Sequence, residues 1–164
     1  MLPVVVGTHP ERPNWLQDCL TSIRKTTKRP VLVHEAGGYE IAALRTGFAR
    51  FDRFLFLQDS VTILSPEFWT IVDARKGPAW LTGWPPMFLG IWDRTALQII
   101  NALPAVQSKE DSIVLEASIP LELGWSTIWP EITDHTALRS EHRHGRHNMI
   151  VGNRYFEKAK ATWR

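Results

Sequence analysis

The chain has 164 residues, of which 44% are hydrophobic and 22% charged, and its formal net charge is +2. These values are ordinary for a soluble globular domain, and the charge is too small to indicate nucleic-acid binding by itself. A single cysteine excludes an intrachain disulfide or a multi-cysteine metal site. No apolar stretch reaches membrane-spanning length, and the N-terminus does not resemble a signal peptide, so we expect a cytoplasmic protein without a membrane partner.

The first sixty residues alternate between strand-like and helix-like patterns. Short apolar runs at 4–7, 31–35 and 53–60 predict buried strands. Between them, apolar residues recur at helical spacing from Trp15 to Ile23 and again from Ile41 to Phe48. This order predicts an α/β fold with parallel strands joined by right-handed crossovers.

The second half carries weaker signals. Ser65 and the proline after it predict the start of a helix over 65–74. We expect strands at 79–84 and 87–92, helices at 94–103 and 108–120, a strand or irregular segment at 124–132, and then a loop with a short terminal helix. The chain has no internal repeat and no long linker, so we expect one domain spanning 1–164.

Polar side chains follow each of the first three predicted strands. They are Thr8, Glu35 and Asp59. In an open parallel sheet, ligands bind outside the carboxyl ends of the strands, so these three side chains predict a shared cavity. The alternative for Asp59 is that it only caps the turn after its strand. No G-x-G-x-x-G, Walker A or G-x-S-x-G motif is present.

The segments "VVVGTHPERPNWLQDCLTSI", "VLVHE", "GGYEIAALRTGFAR" and "FLFLQDSV" occur in an order that resembles the N-terminal half of GT-A nucleotide-sugar glycosyltransferases. The most similar pattern is that of the large inverting family that includes cellulose-synthase-like enzymes. The resemblance implies a Rossmann-like GT-A three-layer sandwich with a mostly parallel central sheet. It also implies a nucleotide-binding half at 1–75, an acceptor half at 76–134 and a basic, His-rich tail at 135–164.

The resemblance also implies which residues would bind the nucleotide sugar. These are Thr8, Arg12, Glu35, Arg45, Gln58, Asp59 and Ser60. The family's D-x-D motif falls on Gln58-Asp59-Ser60, which offers one carboxylate where the family offers two or more. Mg²⁺ or Mn²⁺ would be held through Asp59, because these ions prefer oxygen ligands, but only weakly.

An inverting transferase needs a general base to take the proton of the acceptor hydroxyl. The family places an acid at the start of a helix in the second half, which implies Asp111 as the base and Glu110 as the second choice. Acids in a first helical turn also stabilise the helix dipole without any catalytic role. On the acceptor side, Trp84 and Trp92 are candidates for stacking on a sugar, and core packing is the alternative.

Four histidines lie close together at His135, His142, His144 and His147. One hypothesis is that His144 or His147 completes the metal site or contacts the diphosphate. A second is a nuclease of the His-Asn-His type, with the Asp134-His135 pair and Asn148 or Asn153 in its motif. The third is a basic, solvated loop.

We therefore expect a small glycosyltransferase that moves a sugar from a nucleotide-sugar donor, such as a UDP-sugar, to an acceptor hydroxyl. The acceptor could be a glycan, a protein or a modified DNA base, since small GT-A-like proteins of this kind resemble phage-encoded ones. The alternatives are an inactive GT-A-like domain that binds a nucleotide or a protein, and a metal-dependent nucleic-acid enzyme that uses the histidines.

Overall fold

The computed structural model describes residues 1–35, 37, 39–84, 86, 88–133 and 135–161. Its first half follows the predicted alternation. The strands are β1 (Val4–Gly7), β2 (Val31–His34) and β3 (Arg53–Gln58), and the helices are α1 (Pro13–Thr26) and α2 (Tyr39–Phe48). Both β2 and β3 pair with β1 in parallel, so the predicted parallel unit is confirmed.

The middle of the chain adds shorter elements. They are β4 (Val61–Ile63), α3 (Glu67–Ala74), β5 (Ala79–Thr82), β6 (Gly90–Asp93), a 3₁₀ turn (Arg94–Ala96), α4 (Leu97–Ala102), α5 (Lys109–Leu123) and β7 (Thr127–Trp129). The prediction that α5 stops near Pro120 is wrong. The helix continues to Leu123 and ends where Gly124, in the left-handed conformation at φ 60°, donates its N–H to the carbonyl of Pro120.

The C-terminal segment forms strands, so the prediction of a loop with a short helix is wrong. It contains β8 (Arg139–Arg143), β9 (Arg146–Gly152) and β10 (Phe156–Ala161). His144 and Gly145 form the two-residue turn between β8 and β9, and both have positive φ, at 50° and 74°. Such turns match the twist of paired strands, and the many Arg and His residues concealed this hairpin signal in the sequence.

The strands form two sheets. The larger has the order β2-β1-β3-β6-β5-β7, and only β6 runs against its neighbours, so this mixed sheet is mostly parallel. The smaller sheet is antiparallel, with the order β4-β10-β9-β8. The protein is therefore an α/β fold with a second sheet that the sequence did not predict.

The central strands are buried on both faces. Val4 and Val6 belong to one hydrophobic cluster and Val5 to another, because successive side chains of a strand point to opposite faces. Because β1 and β3 pair in parallel within this buried sheet, their carboxyl ends lie side by side. None of the described helices combines the length and the apolar composition needed to cross a membrane.

Candidate functional site

Thr8 and Asp59 meet directly at the carboxyl edge of the large sheet. The last residue of β1, Gly7, is paired with His34 on one side and Gln58 on the other. The next residues along β1 and β3 are therefore neighbours, and the N–H of Asp59 donates to the carbonyl of Gly7 at 3.0 Å. The Thr8 hydroxyl Oγ1 donates a 2.7 Å hydrogen bond to Asp59 Oδ2.

Arg12 pairs with the other oxygen of the same carboxylate. Its Nη1 lies 3.1 Å from Asp59 Oδ1, and its side chain is 36% exposed whereas that of Asp59 is 1% exposed. The contact is an ion pair without hydrogen-bond geometry: Asp59 Oδ1 and Arg12 Nε are both buried without a hydrogen-bond partner. The guanidinium therefore has donor capacity that the protein does not use.

Burial raises the pKa of Asp59 above its ordinary value. The charges of Arg12 and Lys158 and the hydrogen bond from Thr8 lower the pKa, and the charge of Glu40 raises it, but desolvation is the largest effect. Burial thus disfavours the charged form of Asp59, and two cations and one hydroxyl partly stabilise it.

Glu35 lies at the same edge of the sheet, whereas Arg45 is engaged between two helices. Glu35 is exposed at the end of β2, next to Thr8, whose N–H donates to the carbonyl of His34 at 3.0 Å. Arg45 donates to the carbonyls of Ile100 and Leu103, at 3.1 and 2.6 Å, and so joins α2 to the end of α4. Ser60 is 4% exposed, and its carbonyl accepts from the N–H of Ala159 in β10.

Glu40 is a site residue that the sequence analysis missed. Its Oε1 accepts from Gln58 Nε2 at 2.9 Å, and its Oε2 accepts from the hydroxyl of Ser112 at 2.7 Å. This bridge ties α2 and α5 to the end of β3. The sequence did carry one signal for Glu40. It is an acid in the first turn of α2, the helix that follows β2.

Asp111 and Glu110 are both exposed in the first turn of α5. The N–H of Asp111 donates to the N-cap hydroxyl of Ser108 at 3.1 Å. Asp111 directly precedes Ser112, which Glu40 links to Gln58 at the end of β3. Its carboxylate is accessible, as a general base requires, and its position equally suits the helix dipole.

Lys158 is the second missed residue. It lies in β10, is 7% exposed, and contributes the positive charge that lowers the pKa of Asp59. The hydrogen bond from Ala159 to Ser60 holds β10 beside the residue that follows Asp59. No sequence signal could identify Lys158, because its position depends on strands that were not predicted.

The histidines lie on the β8–β9 hairpin. His144 Nε2 is 2.8 Å from Asp18 Oδ2 of α1, and its ring packs edge-on against Trp15 at 4.9 Å. The guanidinium of Arg12 lies over the same indole, 5.5 Å from the ring centroid. The hairpin therefore folds back on the first turns of α1, but His144 is engaged with Asp18.

His147 is exposed in β9, directly opposite His142. Within the described ranges, no three His, Cys, Asp or Glu side chains are grouped so that they could hold a metal ion. Asp59, His144 and His147 are among the residues described, and they do not form such a three-ligand group. For the nuclease hypothesis, Asp134 lies outside the described residues, and Asn148 is buried with its amide donating to the carbonyl of Arg146.

The two acceptor candidates have different environments. Trp92 is 0% exposed and its indole N–H donates to the carbonyl of Phe88 at 3.1 Å, so it offers no face to a sugar. Trp84 is 50% exposed and lines a pocket of about 210 Å³ at the carboxyl end of β5.

Comparison with known proteins adds no family to this description: no protein-family model matches the sequence, and no curated protein matches it either.

Proposed function

We propose that the protein is a glycosyltransferase that binds a nucleotide-sugar donor at the carboxyl edge of β2, β1 and β3. The observation that carries this proposal is the cluster of Thr8, Arg12 and Asp59 at that edge. In parallel sheets this edge is where ligands bind, and Arg12 keeps an accessible guanidinium there. The resemblance to GT-A enzymes supplies the class of ligand.

In this proposal the diphosphate of the donor lies against Arg12. Asp59 holds the guanidinium in place, and the nearby charge of Lys158 adds to the positive potential. Glu35, exposed at the end of the neighbouring strand β2, would accept hydrogen bonds from the nucleoside. Arg12 and Lys158 are the cations that the structure brings to Asp59, and we assign the stabilisation of the diphosphate charge to them.

The reaction transfers the sugar and one proton. The oxygen of the acceptor hydroxyl forms a bond to the anomeric carbon while the bond from that carbon to the diphosphate oxygen breaks. The bonding electrons leave with the nucleoside diphosphate, and the carboxylate of Asp111 takes the hydroxyl proton. Arg12 acts on the charge that develops on the leaving group.

A nucleotide-binding domain without transferase activity is the second candidate. It is favoured by the burial of Asp59, whose 2% exposure leaves its carboxylate little surface for a ligand. Both candidates require nucleotide binding near Arg12, and only the first requires turnover.

Thermal stability measured with UDP-, GDP- and TDP-sugars, with and without Mn²⁺, tests the nucleotide site. We expect one nucleotide to raise the melting temperature of the wild type and of the Arg50→Ala control, which alters an exposed arginine. The shift should be lost in Arg12→Ala. No shift with any nucleotide, or an equal shift in Arg12→Ala, would contradict the site.

Release of the nucleoside diphosphate then separates the two candidates. Turnover with an acceptor that is lost in Asp111→Asn supports the transferase. Binding without turnover across a broad acceptor panel supports the second candidate.

A further inference from the structure

The pocket at the end of β5 is built from aromatic and small uncharged residues. Three indoles line it, from Trp80, Trp84 and Trp125, together with the side chains of Thr82 and Thr127. The rest of the lining, among the residues that the structure describes, consists of prolines, glycines and one leucine, so none of these lining side chains is ionisable. Its volume is about 210 Å³, below the roughly 300–1,000 Å³ of sites for drug-sized molecules, so it suits a single ring.

Part of the aromatic wall is rigid. The rings of Trp80 and Trp125 pack at 4.8 Å, and both contact the fully buried Trp92, at 5.3 and 5.0 Å. Trp92 therefore supports the wall from behind. Trp84, at 50% exposure, supplies a flat face at the rim of the pocket.

The register of the large sheet shows that this pocket lies at the same edge of the sheet as the proposed nucleotide site. Gly90 of β6 pairs with Phe56 of β3 on one side and with Trp80 of β5 on the other. Because β3 and β5 run in the same direction, Thr82 lies level with Gln58 at the same edge of the sheet. Two strand spacings separate them, which is about 10 Å.

Helix α5 joins the same two places. Its first turn is tied to Glu40 through Ser112, and its last turn contributes Pro120 and Leu121 to the pocket. At 1.5 Å per residue, Ser112 and Pro120 are about 12 Å apart along the helix. The same helix thus carries the candidate base Asp111 and part of the pocket lining.

We propose that this pocket binds an uncharged pyranose ring, and that the acceptor is a neutral glycan. The assignment of the ring as the acceptor rests on the proposed transferase function. Indole faces pack against the apolar face of a sugar, and the hydroxyl oxygen of the half-buried Thr127 can accept a hydrogen bond from one of its hydroxyl groups. Thr82 is fully buried and its hydroxyl donates to the carbonyl of Pro86, so Thr82 belongs to the inner wall of the pocket.

Other occupants fit this lining less well. A DNA acceptor brings phosphates, and the described lining contains no Arg or Lys to neutralise them. A quaternary ammonium would use the indoles but could not donate a hydrogen bond to Thr127, and the described lining offers it no carboxylate. A proline-rich peptide needs an extended groove, whereas this site is sized for one ring.

The test is a titration of the full chain with methyl α- and β-D-glucopyranoside, -galactopyranoside and -mannopyranoside, without nucleotide. Binding is followed by NMR of the indole N–H groups, and the Trp84→Phe spectrum assigns Trp84. We expect saturable shifts with at least one neutral hexoside, confined to the indoles of the pocket. Glucuronate, choline chloride and poly-L-proline should give no such shifts.

Trp84→Ala should weaken hexoside binding about tenfold, and Trp84→Phe should recover part of it. The control Leu138→Ala, which removes an exposed apolar side chain away from the pocket, should bind as the wild type does. Shifts with choline or poly-L-proline but not with any hexoside at about 100 mM would overturn the proposal, as would unchanged binding in Trp84→Ala. Because the titration contains no nucleotide, its failure is separate from a failure of the nucleotide site.

Discussion

Thr8 and Asp59 are separated by 51 residues in the sequence and joined by a 2.7 Å hydrogen bond from the threonine hydroxyl to the buried carboxylate. Thr8→Val keeps the shape of the side chain and removes the donor. Hydrogen bonds to charged groups contribute about 1.5–3 kcal/mol, so we expect a loss of that order in the free energy of unfolding at neutral pH. Urea denaturation measures it.

The matched control is Thr70→Val, because Thr70 is exposed on α3. It should change the free energy of unfolding by less than about 0.5 kcal/mol. Equal effects in the two variants would show that the bond to Asp59 contributes nothing specific.

The raised pKa of Asp59 predicts how stability depends on pH. A folded-state pKa above the unfolded value means that the native state binds the proton more tightly, so this group's contribution to stability is lost as pH rises through the folded pKa. Asp59→Asn removes that titration. Unfolding free energies of the two proteins from about pH 4 to about pH 7 should therefore diverge, with the wild type losing stability relative to the variant as pH rises. A wild type that gains stability relative to the variant would reverse the sign and contradict the assignment.

The two hydrogen bonds of Glu40 predict that it fixes the start of α5 against β3. Glu40→Ala leaves the fully buried hydroxyl of Ser112 without its partner, which we expect to cost about 1–3 kcal/mol. Glu40→Gln can still accept from Gln58 and donate to Ser112, so it should cost less. Hydrogen exchange of the Asp111 and Ser112 amides, which are bonded to Ser108, should be faster in the alanine variant than in the glutamine variant.

The first half of the fold was predictable because its signals are local. Apolar runs and helical spacing identify β1, α1, β2, α2 and β3 without any long-range information, and the polar residues after the strands identify Thr8 and Asp59. The bridge through Glu40 and the approach of Lys158 depend on contacts between distant segments. Glu40 has a local signal as an acid in a first helical turn, but its partners and the approach of Lys158 have none.

The C-terminal sheet was missed for a different reason. Strand β8 is an edge strand whose residues are exposed or only partly buried, so its arginines and histidines are compatible with a strand. Their composition suggested a loop. Arg139 forms ion pairs with Glu141 and Glu157, and Arg143 forms one with Glu141. These contacts lie within the sheet and could be identified only from the structure.

Arg29 is a structural arginine that the sequence analysis did not identify. Its side chain is 3% exposed, forms two hydrogen bonds to the carboxylate of Asp73 at 3.1 Å, and lies 4.2 Å from the ring centroid of Trp69. Burial alone would raise the pKa of Asp73, but hydrogen bonds from Arg29 and Leu2 and nearby positive charge bring it below its usual value.

Arg29→Ala should lower the free energy of unfolding by about 1–3 kcal/mol, because the partner carboxylate is 37% exposed and water can solvate it in the variant. Arg50→Ala is the control and should change it by less than about 0.5 kcal/mol. Chemical denaturation of both compares a buried arginine with an exposed one. A similar small loss in both would show that the bidentate pair has no net stabilising effect.

Gly152 ends β9 at a φ of 150°, a conformation that L-residues rarely adopt. A β-carbon there would collide with the carbonyl oxygen of Phe156, which is backbone and cannot move aside easily. Gly152→Ala should therefore destabilise the protein by about 1–3 kcal/mol. Gly77→Ala is the matched control, since nothing lies within 4 Å of its β-carbon position.

Differential scanning calorimetry of both glycine variants measures this effect, and the Gly77 variant should melt within a few degrees of the wild type. Because β10 carries Lys158 and pairs with β9, the Gly152 variant should also weaken nucleotide binding if Lys158 contributes to that site. Unchanged stability in Gly152→Ala would contradict the described path of the chain between β9 and β10. That path is what holds Lys158 near Asp59.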